Sequence, residues 1–158
     1  MKKAEKIIIL TFLCCVLLAL LGGIVCKIDK DYIKSIDVSE ASTEYPLDYT
    51  AYIDSVDYSN DRLVVKGWVA RKANFNANFQ CLIKDEQGIF YAVTTRSVKR
   101  YEITQYFNDG NDYSDAGFFA TGKVKYGKIK GISQIYILVK DKEQNQYLIE
   151  TDKTINLG

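Results

Sequence analysis

An uncharged apolar run, Ile7–Cys26, followed by a series of short stretches with two-residue hydrophobic alternation, predicts an all-β protein of defined type. The expectation is an Ig-like antiparallel β-sandwich of about seven strands, preceded by one N-terminal transmembrane helix. A polar segment that ends in the only proline, Pro46, separates the two parts. The organisation read from these features is a cytoplasmic tail at 1–6, a transmembrane signal anchor at 7–26, a stalk at 27–46 and an extracytoplasmic sandwich at 47–158.

The apolar run is 20 residues long, and a helix of that length crosses about 30 Å of hydrocarbon. Lys2, Lys3 and Lys6 favour the cytoplasmic side, against Lys27, Lys30 and Lys34 beyond the run. A cleaved signal peptide is the competing reading. The run exceeds a typical signal-peptide core, however, and no small-x-small pattern closes it. Acylation of Cys26 is disfavoured because Gly23, Ile24 and Val25 do not resemble a lipobox. Cys14 and Cys15 lie inside the run, so Cys81 has no partner for an intradomain disulfide and reads as a small buried hydrophobe.

From Lys27 to Pro46 the chain, "KIDKDYIKSIDVSEASTEYP", has mixed charge and few large apolar residues after Ile36, which reads as a linker. Alternation then begins. In "RLVVKGWVA", Leu63, Val65 and Val69 share one face, and in "FQCLIK", Phe79, Cys81 and Ile83 do. "DYTAYIDSVDY", "QGIFYAVTT", "GFFATGKV", "SQIYILVK" and "QYLIETDKTINL" complete the set, with turn signals at Asn60-Asp61, Gln87-Gly88 and Gln144-Asn145. "IYILV", apolar on both faces, is expected in a sheet centre. Only "RYEITQYF" departs, with Arg100, Ile103 and Phe107 spaced for a short helical turn.

The 158 residues carry 21 basic and 20 acidic side chains, net +1, so nothing in the charge balance points to nucleic acid. Histidine is absent, which removes His-based acid/base catalysis and the usual catalytic zinc ligands. There is no Gly-rich phosphate loop, Gly-x-Ser-x-Gly elbow or Cys-x-x-Cys pair. Asp54, Asp57, Asp61 and Glu102 are candidate paired carboxylates, but none is set apart by its context. No enzyme and no cofactor is therefore expected.

"NDGNDYSDAGFF" places Asp109, Asp112 and Asp115 three residues apart. Aligned on Asp109 as an EF-hand loop, it has Tyr113 at the fifth position, Ser114 at the sixth and Ala120 where the bidentate Glu belongs. Turn formation is the better reading, with Arg100 expected to pair with a loop carboxylate such as Asp115 or to bond loop carbonyls. No metal is assigned.

The order "YIDSVDYSNDRLVVKGWVA", a hairpin, "RYEITQYF", "AGFFATG" and "IYILVKD", from Tyr52 to Leu157, resembles a bacterial Ig-like β-sandwich accessory module. That module recurs in envelope and polysaccharide-related membrane proteins. The resemblance implies a noncatalytic module on the outer face of a membrane, with envelope glycan as its neighbour. Gly67, Gly117 and Phe118 form its structural signature.

Twelve tyrosines, 7 phenylalanines and one tryptophan supply flat faces for sugar rings or protein contacts. Trp68, Arg100, Tyr101 and Tyr113 are the candidate binding residues. Alternation puts Trp68 on the face of Val64 and Lys66, opposite Leu63 and Val65. An open indole favours glycan binding. A covered one leaves an interaction scaffold, and the expectation is that it packs under "RYEITQYF" with Gly67 making room. The function expected is a membrane-anchored binding module for envelope glycan or a membrane-protein partner; the alternative is a structural or regulatory subunit of a polysaccharide-assembly or transport complex.

Overall fold

The computed structural model describes residues 3–46, 48–72, 78–125, 127–129 and 131–157, with the side chains of 3–9 and 24–30 also outside the description. The chain divides into a helical unit ending at Tyr32 and a β unit beginning at Ile33. Helix α1, Lys3–Asp31, mixes the strong helix formers Leu and Ala with β-branched Ile and Val and a Gly22-Gly23 pair, so its length follows from an unbroken apolar run without proline more than from propensity. Among the described side chains no helix is long and apolar enough to cross a membrane. Of the expected span and its flanks, residues 7–9, 24–26, Lys2, Lys3, Lys6, Lys27 and Lys30 lie outside that set.

The β unit consists of two antiparallel sheets, a β-sandwich-like arrangement. One holds β2 (Tyr49–Ser59), β3 (Arg62–Arg71), β7 (Gly117–Lys123) and β6 (Thr94–Val98), in that spatial order. The other runs β1 (Lys34–Ser35), β5 (Phe90–Ala92), β4 (Asn78–Lys84), β8 (Ile132–Lys140) and β9 (Gln146–Asn156). The strand "IYILV" lies inside its sheet between β4 and β9, as its two apolar faces require. The expected turns form as well: Asn60 and Asp61 both take positive φ, 50° and 59°, the pairing a tight hairpin needs. Gly88 and Gln144 are likewise left-handed.

Two features raise the strand count above about seven, the usual number for this class. "QGIFYAVTT" is not one strand but β5 and β6, which belong to different sheets. The change occurs at buried Val93, whose N–H donates to Cys81 O at 3.0 Å. Thr95 then caps the crossing, its Oγ1 donating to Val93 O at 2.8 Å and accepting Cys81 N–H at 2.9 Å.

The second feature corrects the stalk. Residues 33–42 are part of the β unit, because β1 pairs with β5 and Ile36 N–H donates to Phe90 O. Ile33 is buried in the main core, while Ile36, Val38 and Ala41 pack on the outer face of the five-stranded sheet against Leu82, Tyr136 and Leu148. Ser42 closes this strap by bonding Gln146 O and Leu148 N–H. Four apolar side chains hold the segment down despite the charges between them. The β unit therefore begins at Ile33, ahead of the expected boundary after Pro46; Leu47 itself is outside the described residues.

Between the sheets lie Ile53, Leu63, Val65, Val69, Cys81, Ile83, Phe118, Ile135, Ile137 and Val139, every one buried. Burying a residue of this size is worth about 1.5–3 kcal/mol, so this layer dominates stability. A smaller cluster, Trp68, Ala70, Ile103, Tyr113 and Ala116, sits on the opposite, outer face of the four-stranded sheet. Helix α2, Tyr101–Phe107, covers it.

Candidate functional site

The outer face of the four-stranded sheet collects most of the expected site residues. Alternation along β3 places Leu63, Val65 and Val69 inward, and Trp68 and Ala70 outward, as read from the sequence. Trp68 is 8 % exposed. Its indole is covered by rings on several sides: Tyr52 stacks at 6.1 Å, Tyr106 tilts at 5.9 Å and Phe107 meets it edge-on at 6.0 Å. Phe107 in turn packs on Tyr113 at 4.5 Å. The covered arrangement holds.

Gly67 makes room, though not for the helix. Its missing side chain faces the core, where an added Cβ would come 2.3 Å from Tyr52 O and 2.9 Å from the Phe118 ring. Phe118 is the registered partner of Gly67 on β7, so the aromatic ring fills the space that glycine leaves. Gly117, paired with Trp68, does the same on the outer face: a Cβ there would lie 2.2 Å from Arg100 Cγ and 2.5 Å from Val98 O. The signature residues Gly67, Gly117 and Phe118 thus let one ring into the core and one arginine stem across the sheet.

Arg100 does not pair with Asp115. Its Nη1 donates to Asp54 at 2.6 Å and its Nε to Glu102, while Asp115 is held by Lys99 at 2.7 Å. Asp54 occupies the irregularity in β2, where the register with β3 shifts between Ile53 and Ser55. That bulge turns the carboxylate toward the arginine. The bonds to Asp54 and then Glu102 raise the guanidinium above its ordinary pKa, and the bond from Arg100 holds Glu102 below the usual carboxylate range. Both carboxylates are ion-paired, an arrangement that locks α2 onto β2. The Arg100 backbone N–H adds a bond to Ser114 O at 2.7 Å.

The acidic loop is wired to itself. Asp109 accepts the Asn111 N–H at 3.1 Å and the Tyr113 hydroxyl at 2.7 Å, and the hydroxyl is the main reason its pKa falls below 3.8. Asp112 accepts the Ser114 N–H at 2.8 Å and the Thr104 hydroxyl at 3.2 Å, and is lowered chiefly by the former. Thr104 Oγ1 also receives the Tyr113 N–H at 2.8 Å. Among the described residues no three carboxylates or cysteines converge on a point. The loop's carboxylates replace backbone partners, which is what turn-forming aspartates do.

Of the four candidate binding residues only Tyr101 is open, at 67 % exposure. Tyr113 is 1 % exposed and buried with Trp68, and Arg100 is engaged by two carboxylates. The surface over this cluster belongs instead to Tyr52 and Tyr106, 52 % and 72 % exposed, which sequence reasoning did not single out. A signal for each was present. Tyr52 alternates with inward Ile53, and Tyr106 lies three residues after Ile103 on α2, at the edge of the face that covers Trp68. The result is a shallow aromatic surface, two open tyrosines over a covered indole, with Arg100, Asp54 and Glu102 beside it. No family model, curated protein or solved structure matches the chain.

Proposed function

We propose that the chain is a single-pass membrane protein whose extracytoplasmic Ig-like sandwich is a noncatalytic binding module for envelope glycan or a membrane-protein partner. The observation that carries the binding reading is the open pair Tyr52 and Tyr106 on either side of Trp68. Two flat faces held by a rigid indole suit the apolar side of a sugar ring or an aromatic-rich protein contact.

The anchor reading is supported by α1. Leu10, Phe12, Leu13, Val16, Leu17, Leu18, Leu20 and Leu21 are all exposed, so the helix is apolar all round, a pattern suited to hydrocarbon rather than to water. The Ig-like reading is supported by strand order. The four-stranded sheet β2-β3-β7-β6 corresponds to the A-B-E-D sheet of that fold, and β4-β8-β9 to C-F-G. The noncatalytic reading draws on the pairing of Asp54 and Glu102 with Arg100.

The test is recovery of the full-length protein from membranes, with the co-purifying glycans and proteins identified by mass spectrometry, for the wild type and for Tyr52→Ala/Tyr106→Ala. A ligand retained by the wild type and lost by the variant supports the reading. Equal recovery from both would remove this surface from the function. A glycan turned over rather than retained would show an enzyme. The Tyr, Trp and Arg content of the surface also favours the alternative, a subunit of a polysaccharide-assembly or transport complex, which a protein lost in place of a glycan would identify.

A further inference from the structure

The other sheet carries a second depression, of about 260 Å3, just below the usual range for ligand clefts. Strand register explains it. Asn78 on β4, Lys140 on β8 and Gln146 on β9 are consecutive cross-strand partners, and the next row on the same face is Gln80 beside Leu138. The strap 36–42 covers the neighbouring part of this face, resting on Leu82, Tyr136 and Leu148, and bonds back to the sheet at Ser42. On the remaining side the chain has crossed to the other sheet at Val93, and Thr95 and Phe79 form the wall.

Three primary amides and one ammonium therefore line a space floored by Leu138. Among the described residues Asn78, Gln80, Lys140 and Gln146 have no side-chain hydrogen bond or ion pair. The nearest carboxylate in sequence, Asp141, is taken up by its own turn: it accepts the N–H groups of Glu143 and Asn145, and the Tyr147 hydroxyl lies at 3.5 Å. Each amide presents both a donor and an acceptor, the pair that brackets adjacent hydroxyls. An ammonium with no internal counterion recognises a single negative group, and an aliphatic floor accepts a C–H face.

We infer that this depression binds an anionic polyol unit, a sugar or sugar alcohol bearing one carboxylate or phosphate, with Lys140 taking the charge and Asn78, Gln80 and Gln146 taking the hydroxyls. The inference places a site on the sheet opposite the tyrosine surface, and rests on the binding reading above only for the ligand's saccharide class.

The test is calorimetric titration of the full-length chain in detergent with three probes: a hexuronate tetramer, a poly(glycerol phosphate) chain and neutral cellotetraose. One of the anionic probes binds at least about tenfold more tightly than cellotetraose, the scale of one charge-assisted contact, and which one binds tells carboxylate from phosphate. Lys140→Met and Gln80→Ala each weaken that probe by about tenfold. In the wild-type chain the same probe shifts the side-chain amide NMR signals of Asn78, Gln80 and Gln146, a readout independent of whether any variant folds.

Binding of all three probes with equal affinity, binding indifferent to Lys140 and Gln80, or unmoved amide signals would overturn the inference. Loss of binding only in the tyrosine variant would overturn it while leaving the proposed function standing. No binding by any probe would remove the polyol site, leaving the tyrosine surface to be judged by the co-purification experiment.

Discussion

Arg100 Nη1 lies 2.6 Å from Asp54 Oδ2, joining the start of α2 to the bulge in β2 46 residues earlier. The arginine stem reaches this point by passing over Gly117, where any side chain would meet Arg100 Cγ at 2.2 Å. Asp54 and Arg100 side chains are 32 % and 27 % exposed, so the pair is only partly screened by water. In a double-mutant cycle of Arg100→Ala and Asp54→Ala, read by urea denaturation, the coupling is about 1 kcal/mol. Arg100→Ala alone costs more than Asp54→Ala, since it also frees Glu102. A coupling of zero would mean that the stem's packing, not its charge, fixes the helix.

Gly67 and Trp68 give the sharpest contrast between neighbouring positions. Gly67→Ala drives a methyl into the backbone oxygen of Tyr52, which has no rotamer to yield, and costs about 1–3 kcal/mol. Trp68→Ala empties the outer cluster beneath α2 and costs about 3–5 kcal/mol, with α2 losing amide-exchange protection before the main core does. Phe118→Ala removes the ring that fills the space at Gly67, with a cost in the same range. A Trp68→Ala chain that melts like the wild type would place the indole outside the stabilising structure.

Much of this outer cluster was legible in β3, because strict alternation puts Trp68 opposite Leu63 whatever the partner strands are. The crossing at Val93 was hidden by the same rule: Tyr91 and Val93 both face the common core, so the period of two continues unbroken while the chain changes sheets. The strap was hidden by its charges. Ile33, Ile36, Val38 and Ala41 follow no helical or strand period: Ile33 enters the main core, and the other three are explained only by the outer apolar face they cover. Arg100 had many carboxylates within the same composition, and spacing along the chain does not choose among partners brought together by a bulge. The amide-lined depression depends on the register of three strands, which no single stretch records.

Cys81 makes the topology testable. It is fully buried, and burial pushes its thiol up to about 12, so it is neither ionised nor reachable in the folded protein. A thiol introduced by Ser59→Cys, on the exposed end of β2, is then the reactive group of the β unit. In a Cys26→Ser background, which removes the thiol at the outer end of the anchor, an impermeant maleimide on intact cells labels Ser59→Cys and leaves the parent chain unlabelled, whereas in denaturant Cys81 also reacts. Labelling of Ser59→Cys only after lysis would put the β unit in the cytoplasm. A mature N-terminus near Lys27 would replace the anchor with a cleaved segment.

The carboxylates of Asp109 and Asp112 hold the loop after α2 through Tyr113, Asn111, Ser114 and Thr104. Both are depressed below the ordinary value of 3.8, Asp109 chiefly by the Tyr113 hydroxyl and Asp112 chiefly by the Ser114 N–H. A depressed folded-state pKa means that the folded protein favours the ionised form more than the unfolded chain does. The stability this contributes is fully present above the unfolded value and is lost as pH falls through the lowered ones. The wild-type melting temperature therefore declines as the pH is taken below about 4, the region of an unperturbed carboxylate, and Asp109→Asn/Asp112→Asn declines less over the same window while starting lower at neutral pH. Because these oxygens already have partners in the chain, a chelator leaves the melting temperature where it was and added calcium does not raise it. A calcium-dependent rise that disappears in Asp109→Asn/Asp112→Asn would show that the loop opens its carboxylates to an ion, and the self-wired reading would fall.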